Sequence, residues 1–296
     1  MKKFTSQEIK EFVSKPLFDE KVILNKDPSW PKISIVTPSY NQAQFLERTI
    51  LSVLNQNYPN LEYIIIDGGS TDGSVEIIKK YEKYLSYWVS EKDRGQSHAL
   101  NKGFEKATGD LVGWQNSDDI YLPGAFEKVI EVFKNKPNYD VYFGNVYLID
   151  ECDSIIRDLR FIKFSPFSLI YEGTVLANQS TFFSKKIIKS YKLDENFKFT
   201  MDYEFYFRIR NSNFIFIHHF LGAFRLHSFA KTSLISDIGK KEHNKILISN
   251  GYNPNSFKFK ILKKISKIRR AFFYMFQGDF DYMLRGIKKM FKKNVK

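Results

Sequence analysis

"PKISIVTPSYN", residues 31–41, carries the reading on which the fold depends. Ile33 to Thr37 is a short, near-continuous run of apolar and β-branched residues, the pattern of a strand buried on both faces. Pro38 is expected to stop it, because proline cannot donate to a strand ladder. In the residues that follow, Phe45/Leu46, Thr49/Ile50 and Val53/Leu54 recur at the spacing of one helical face. "LEYIIIDGGSTDGS" (61–74) repeats the scheme, with a strand from Tyr63 to Ile66 running into a Gly-rich turn. "VEIIKKY" then reads as a helix, "YLSYWVSE" as a strand, "GQSHALNKGFEKA" as a helix and "DLVGWQ" as a strand. This alternation predicts an α/β protein with a mostly parallel central sheet flanked by helices. A polar helix over residues 5–14 precedes it. Further on, "DVYFGNVYLID", "QSTFFS" and "NFIFIHHF" read as strands and "DYEFYFRI" as a helix. With no repeat and no low-complexity linker, the two halves are expected to share one sheet.

Of the 296 residues 43% are hydrophobic, enough for one large core or two modest ones. The lone Cys152 has no partner for an internal disulfide, and no charged-then-apolar leader opens the chain, so a reducing cytosol is expected. No stretch approaches the roughly 18 apolar residues of a spanning helix. The formal charge is +13, but residues 257–296 hold thirteen Lys and Arg against two Asp. The first 256 residues are close to neutral. A nucleic-acid-binding protein would carry basic charge through its folded part, so that class is disfavoured.

Ligands of open α/β sheets bind beyond the C-terminal strand ends. Three polar clusters fall there: Thr37 to Asn41, Asp67 to Ser74, and Asn116 to Asp119. Each alone is ordinary turn or capping chemistry. Three along one sheet suggest a cleft, with the adjacent carboxylates Asp118 and Asp119 placed to hold a cation. A dinucleotide oxidoreductase would show G-x-G-x-x-G after the first strand, where Pro38-Ser39-Tyr40 stands instead.

"TPSYN", "DGGSTDGS", "SEKDRGQSHALNKGF" and "NSDD", in this order and spacing, resemble the family 2 glycosyltransferases of the GT-A (Rossmann-like) fold over roughly residues 32–235. The resemblance implies an inverting, metal-dependent glycosyltransferase, and the lack of spanning helices and of the Q-x-x-R-W signature of processive polysaccharide synthases suggests one sugar added per event. Its donor would be a nucleotide-sugar, a UDP-sugar by preference, and its acceptor a saccharide or lipid-linked saccharide in surface polysaccharide or glycolipid synthesis. It implies Mn²⁺ or Mg²⁺ as cofactor, with Asp119 and His227 as metal ligands. Donor contacts fall to Pro38, Tyr40, Asp67, Arg94, Asp118 and Lys231: Tyr40 on the base, Asp67 on a base N–H, Asp118 on the ribose or behind the metal, Arg94 and Lys231 on the diphosphate. Asp202, in "FTMDYEFYFRI", would be the general base, opposed to the leaving group as in inverting glycosidases. Asn116 stands where many relatives have an acid, and Met201 replaces the acid before the base. These departures keep a catalytically weak nucleotide-sugar-binding relative as the alternative, with tail-mediated nucleic-acid binding behind it. The implied divisions are an extension (1–31), a nucleotide-sugar-binding half (32–120), an acceptor-binding half (121–256) and a basic helical tail (257–296).

In that tail Ile261, Ile265, Ile268, Phe272 and Met275 fall on one helical face, with Lys263, Lys264, Lys267 and Arg270 around the rest. Met283, Ile287, Met290 and Phe291 repeat the scheme against Lys288, Lys289 and Lys292. Such helices suit an anionic membrane surface, here the inner face of the plasma membrane, with packing on the catalytic domain as the competing expectation.

Overall fold

The computed structural model describes residues 1–228 and 236–293; the side chains of Ser236 and of residues 287–293 are not described. One nine-stranded sheet organises the chain. Its parallel half, in the order β3-β2-β1-β4, comprises β1 (Ile33–Ser39), β2 (Leu61–Asp67), β3 (Tyr87–Ser90) and β4 (Leu111–Trp114). The sheet continues through β8 (Thr181–Ser184), β6 (Val141–Ile149), β9 (Phe214–Arg225) and the two-residue β5 (Ile120–Tyr121), with β7 (Ile155–Leu159) beside β6. β1–β4, β6 and β9 run one way, and β5, β7 and β8 run against them. The mostly parallel sheet expected from the sequence is therefore present, with three reversed strands in its second half.

Alternate residues of β1 feed two cores. Ile33 and Ile35 pack under α3 (Ala43–Leu54), α4 (Ser74–Lys80) and α6 (Ala125–Asn135). Val36 faces the other core, built from α5 (Gln96–Lys106), α7 (Pro166–Glu172), α8 (Lys185–Ser190) and α9 (Met201–Arg208). Helices thus cover both faces, as a buried parallel sheet requires. A third cluster ties α1 (Ser6–Ser14) to β5 and the end of β6 through Ile9, Val13, Ile120 and Tyr147. The remaining helices are α2 (Glu20–Asn25), α10 (Ser236–Ser249), α11 (Phe257–Phe276) and α12 (Phe280–Lys293).

Pro38 does not end its strand. It continues β1, in register with Ile66 of β2. On the opposite side, β4 pairs with β1 only as far as Val36. Pro38 therefore sits where no neighbour asks for its missing N–H, a local sheet edge. Among the described residues no helix is long and apolar enough to cross a membrane.

Candidate functional site

The strand order reverses between β1 and β4, and the loops leaving β1, β2, β3 and β4 meet beyond their C-terminal ends. They are bonded to one another. Asn41 N donates to Ser70 Oγ (2.8 Å), Thr71 N to Asn41 Oδ1 (2.9 Å), and Ala43 N, at the start of α3, to Asp72 Oδ2 (2.9 Å). Asp67 is buried, and its carboxylate accepts from Gly69 N, Ser70 N, Ser70 Oγ and Ser90 Oγ at 2.6–3.1 Å. Its evident task is to shape the turn. Tyr40, 61% exposed, stands over this turn. A Cβ added to Gly68 would lie 3.2 Å from the Tyr40 ring and 2.8 Å from Asp93 Oδ2. A flat aromatic surface and a carboxylate therefore meet at one edge of the cleft. Asp93 was not singled out from the sequence, although it lies within "SEKDRGQ"; Gly95 N donates to its Oδ1 (2.7 Å).

The adjacent carboxylates separate. Asp119 is fully buried, and three donors surround it: Arg225 N on Oδ1 (2.9 Å), and Asn116 Nδ2 (3.0 Å) and Gln179 Nε2 (2.6 Å) on Oδ2. Burial first, and then the neighbouring Asp118 charge, push its carboxyl well above the ordinary range. Gly222 makes the Gln179 contact possible, since a Cβ there would fall 1.9 Å from the Gln179 carbonyl oxygen. Asn116 is engaged on both sides: its Oδ1 accepts from Trp114 Nε1 (2.8 Å) and Gln96 Nε2 (2.7 Å) while its amide donates to Asp119. An acid at 116 would set a second carboxylate against Asp119, so asparagine suits this site.

Asp118 is the carboxylate that reaches the cleft. Its side chain is 21% exposed, and Oδ2 lies 3.0 Å from Nε2 of His227, whose side chain is 1% exposed. Asp119, expected to bind the metal, is enclosed by its three donors, whereas Asp118 is partly exposed: after β4 ends at Trp114, the turn carries 118 outward and 119 inward. Arg225, wholly buried, braces the arrangement. Its Nε donates to the Asp118 carbonyl (2.8 Å), one terminal nitrogen to the Asp150 carbonyl (2.9 Å), and the other pairs with Asp153 Oδ1 (2.6 Å). Phe45 lies under both the guanidinium (4.9 Å) and the His227 ring (4.7 Å).

These residues suit a hard divalent cation. An octahedral shell with bonds of about 2.1 Å places neighbouring ligand atoms about 3.0 Å apart. Asp118 Oδ2 and His227 Nε2 are hydrogen-bonded at 3.0 Å, so an ion that displaced the shared proton could take both as ligands with little movement. Among the described residues no group of three or more His, Cys, Asp or Glu gathers to hold a metal. Water and substrate oxygens would have to complete the shell, as is usual for Mg²⁺.

Asp202 occupies the first turn of α9, half-buried, with Tyr203 N donating to its Oδ1 (2.7 Å). Burial lifts its carboxyl from 3.8 to about 6. α9 is joined to the rest of the site twice. Ser97 Oγ, in α5, donates to Met201 Sδ (2.9 Å), and Tyr206 bonds to Asn178, the neighbour of Gln179. Arg94, expected at a diphosphate, is exposed and forked onto Glu195 (2.9 and 3.1 Å), while Lys198 Nζ donates to the Arg94 carbonyl (3.2 Å). Pro38 lies in β1, and Lys231 falls outside the described residues.

A sheet with a switch-point cleft and an acidic pair after β4 fits the GT-A glycosyltransferase fold that the sequence resemblance implied. The family profile described as "Glycosyl transferase family 2" matches residues 34–229, and the chain belongs to that family. An uncharacterized glycosyltransferase of Rickettsia typhi is 30% identical over 277 residues, spanning 89% of this chain and 81% of that one. One from Mycobacterium tuberculosis is 32% identical over 183 residues, 61% of this chain and 69% of its own. Among solved structures, residues 1–349 of S. aureus TarS in complex with UDP-GlcNAc superpose with a TM-score of 0.61 at 16% identity, covering 76% of this chain and 67% of that one. The mannosyltransferase PcManGT from Pyrobaculum calidifontis, in complex with GDP-Man and Mn²⁺, gives 0.52 at 16% identity, covering 76% and 64%.

Proposed function

We propose that this glycosyltransferase moves one sugar from a nucleotide-sugar, a UDP-sugar, to a hydroxyl of a saccharide or lipid-linked saccharide, with inversion, at the cytoplasmic face of a membrane. The reading rests on one observation: Asp118 and His227 stand 3.0 Å apart past the end of β4, and the helix that carries Asp202 is bonded through Met201 and Tyr206 to the neighbouring Ser97 and Asn178. Similarly folded proteins solved with UDP-GlcNAc and with GDP-Man and Mn²⁺ agree with such a donor.

Tyr40 offers the base a stacking face, and Asp67 keeps the turn beneath it in shape, with the Asp93 carboxylate beside it. Asp118 and His227 would hold Mn²⁺ or Mg²⁺, which when bound offsets the charge that grows on a departing diphosphate. Asp119 takes no part in the chemistry and fixes the height of Asp118 through Asn116, Gln179 and the Arg225 backbone. Arg94 and Lys231 are the cations offered to the diphosphate, and Arg94 must first leave Glu195. The acceptor oxygen bonds to the anomeric carbon as the bond to the diphosphate oxygen breaks, and the acceptor proton passes to Asp202. A carboxyl near 6 is largely ionised at neutral pH yet still basic enough to take that proton. One base opposed to one leaving group gives a single displacement and hence inversion.

Turnover of a panel of sugar nucleotides tests this reading. Wild type should release nucleoside diphosphate from at least one donor, UDP-sugars foremost, in a manner abolished by chelator. Asp118→Asn should lose roughly 100-fold or more, by analogy with removal of one electrostatic contact to developing charge. Turnover of no donor, or turnover indifferent to chelator and to Asp118→Asn, would contradict it.

A further inference from the structure

Among the described residues, one face of the tail helix α11 touches the protein and the other is exposed. On the docked face Phe259, Ser266 and Tyr274 are buried. Ser266 Oγ donates to Glu172 Oε1 (2.6 Å) and lies 3.2 Å from Ser168 Oγ. Arg270 pairs with Glu172 Oε2 (3.0 Å), Arg269 donates to Ser165 Oγ (2.8 Å), and Tyr274 OH donates to the Arg160 carbonyl (2.7 Å). Arg160 in turn anchors the start of α12 through Asp279 (2.6 Å) and Asp281 (2.9 Å). The same helix also carries Ile261, Ile265, Ile268, Phe272, Met275 and Phe276, and these are exposed. Phe272 is 54% and Phe276 87% exposed. Spaced by three or four residues, they form one stripe along a helix of about 30 Å.

We infer that this stripe lies on an anionic lipid bilayer while α11 remains docked on α7. The inference deepens the membrane location proposed above and rests on it. Lys258, Lys260, Lys263, Lys264 and Lys267 are all exposed, and residues 257–276 contain no acid. A second copy applied stripe to stripe would bring two lysine rows together with no carboxylate on either helix to offset them. Anionic headgroups supply the missing charge, and the acyl boundary takes the apolar residues. Because α11 is bonded to α7, and α7 packs in the same core as α9, the bilayer would hold the catalytic cleft at a fixed attitude to the surface from which a lipid-linked acceptor emerges.

Flotation of the full chain with phosphatidylglycerol–phosphatidylcholine vesicles, and with phosphatidylcholine alone, tests the inference. Wild type should partition at least tenfold more strongly onto the anionic vesicles and lose that preference as salt rises. Ile265→Glu combined with Phe272→Glu should weaken partitioning at least tenfold while melting temperature and sugar-nucleotide turnover stay unchanged. A locked form, Ser168→Cys with Ser266→Cys oxidised in a Cys152→Ser background, should float as wild type does. If wild type floats and the locked form does not, the tail binds only after release: docked binding is overturned and the membrane location survives. If neither floats, both fall. A concentration-dependent dimer that disappears in the double glutamate variant, without flotation, would assign the stripe to a second copy instead.

Discussion

Replacing Asp202 with Asn is expected to cut sugar transfer by roughly 1,000-fold, within the span attributed to a positioned general base, and to make the fold more stable. The stability gain follows from the raised carboxyl. Below about pH 4 the acid is protonated in both folded and unfolded chains and costs nothing. Between about 4 and 6 the unfolded chain releases its proton while the folded chain keeps it, so stability falls as pH rises. Above 6 the penalty is fully present, on the order of 2 kcal/mol after allowing for the partial exposure of the group. Asparagine keeps the oxygen that accepts from Tyr203 N and carries no charge. Its melting temperature should exceed that of wild type by several degrees at pH 7.5 and match it near pH 4. The wild-type rate should rise with pH through a limb near 6. A variant that transfers sugar at the wild-type rate would remove Asp202 from the mechanism, and one that melts no higher at pH 7.5 would remove the buried-charge argument.

Arg225→Met should destabilise the protein by about 3 kcal/mol, because it removes one of the two cations on Asp153 and leaves two buried carbonyls without their donor. Asp153 would retain only Arg48 (2.8 Å), and the carbonyls of Asp118 and Asp150 would lose their donor. Lysine should not restore the position, because a single ammonium cannot serve Asp153, Asp118 and Asp150 together. Urea unfolding measures both. A loss below about 1 kcal/mol for Arg225→Met would mean that Arg225 does not brace the Asp118 turn.

Periodicity alone made the first half of the sheet readable, because every strand from β1 to β4 is a short apolar run between helices with clear faces. β5 and β7 were not readable. The first has two residues, and the second is a partly exposed edge strand of mixed polarity, IIRDL. At the site, the pair Asp118–Asp119 was visible but its orientation was not. Which of two neighbours faces the cleft depends on an irregular turn and on Gln179 and Arg225, both distant in sequence. Met201 looked like a loss of function, and in the fold it is a buried contact for Ser97. The tail shows the same limit in another form. Its apolar face was legible, and the natural assumption was that any packing would use it. The packing instead buries Phe259 beside serine, arginine and tyrosine contacts, and leaves that face outside.

Anomalous scattering at the manganese edge, from crystals soaked with Mn²⁺ and UDP, tests the central claim most directly. The account predicts one peak in contact with both Asp118 and His227, with Asp119 still enclosed by its three donors. A peak on Asp119, or none near the end of β4 despite bound UDP, would contradict it.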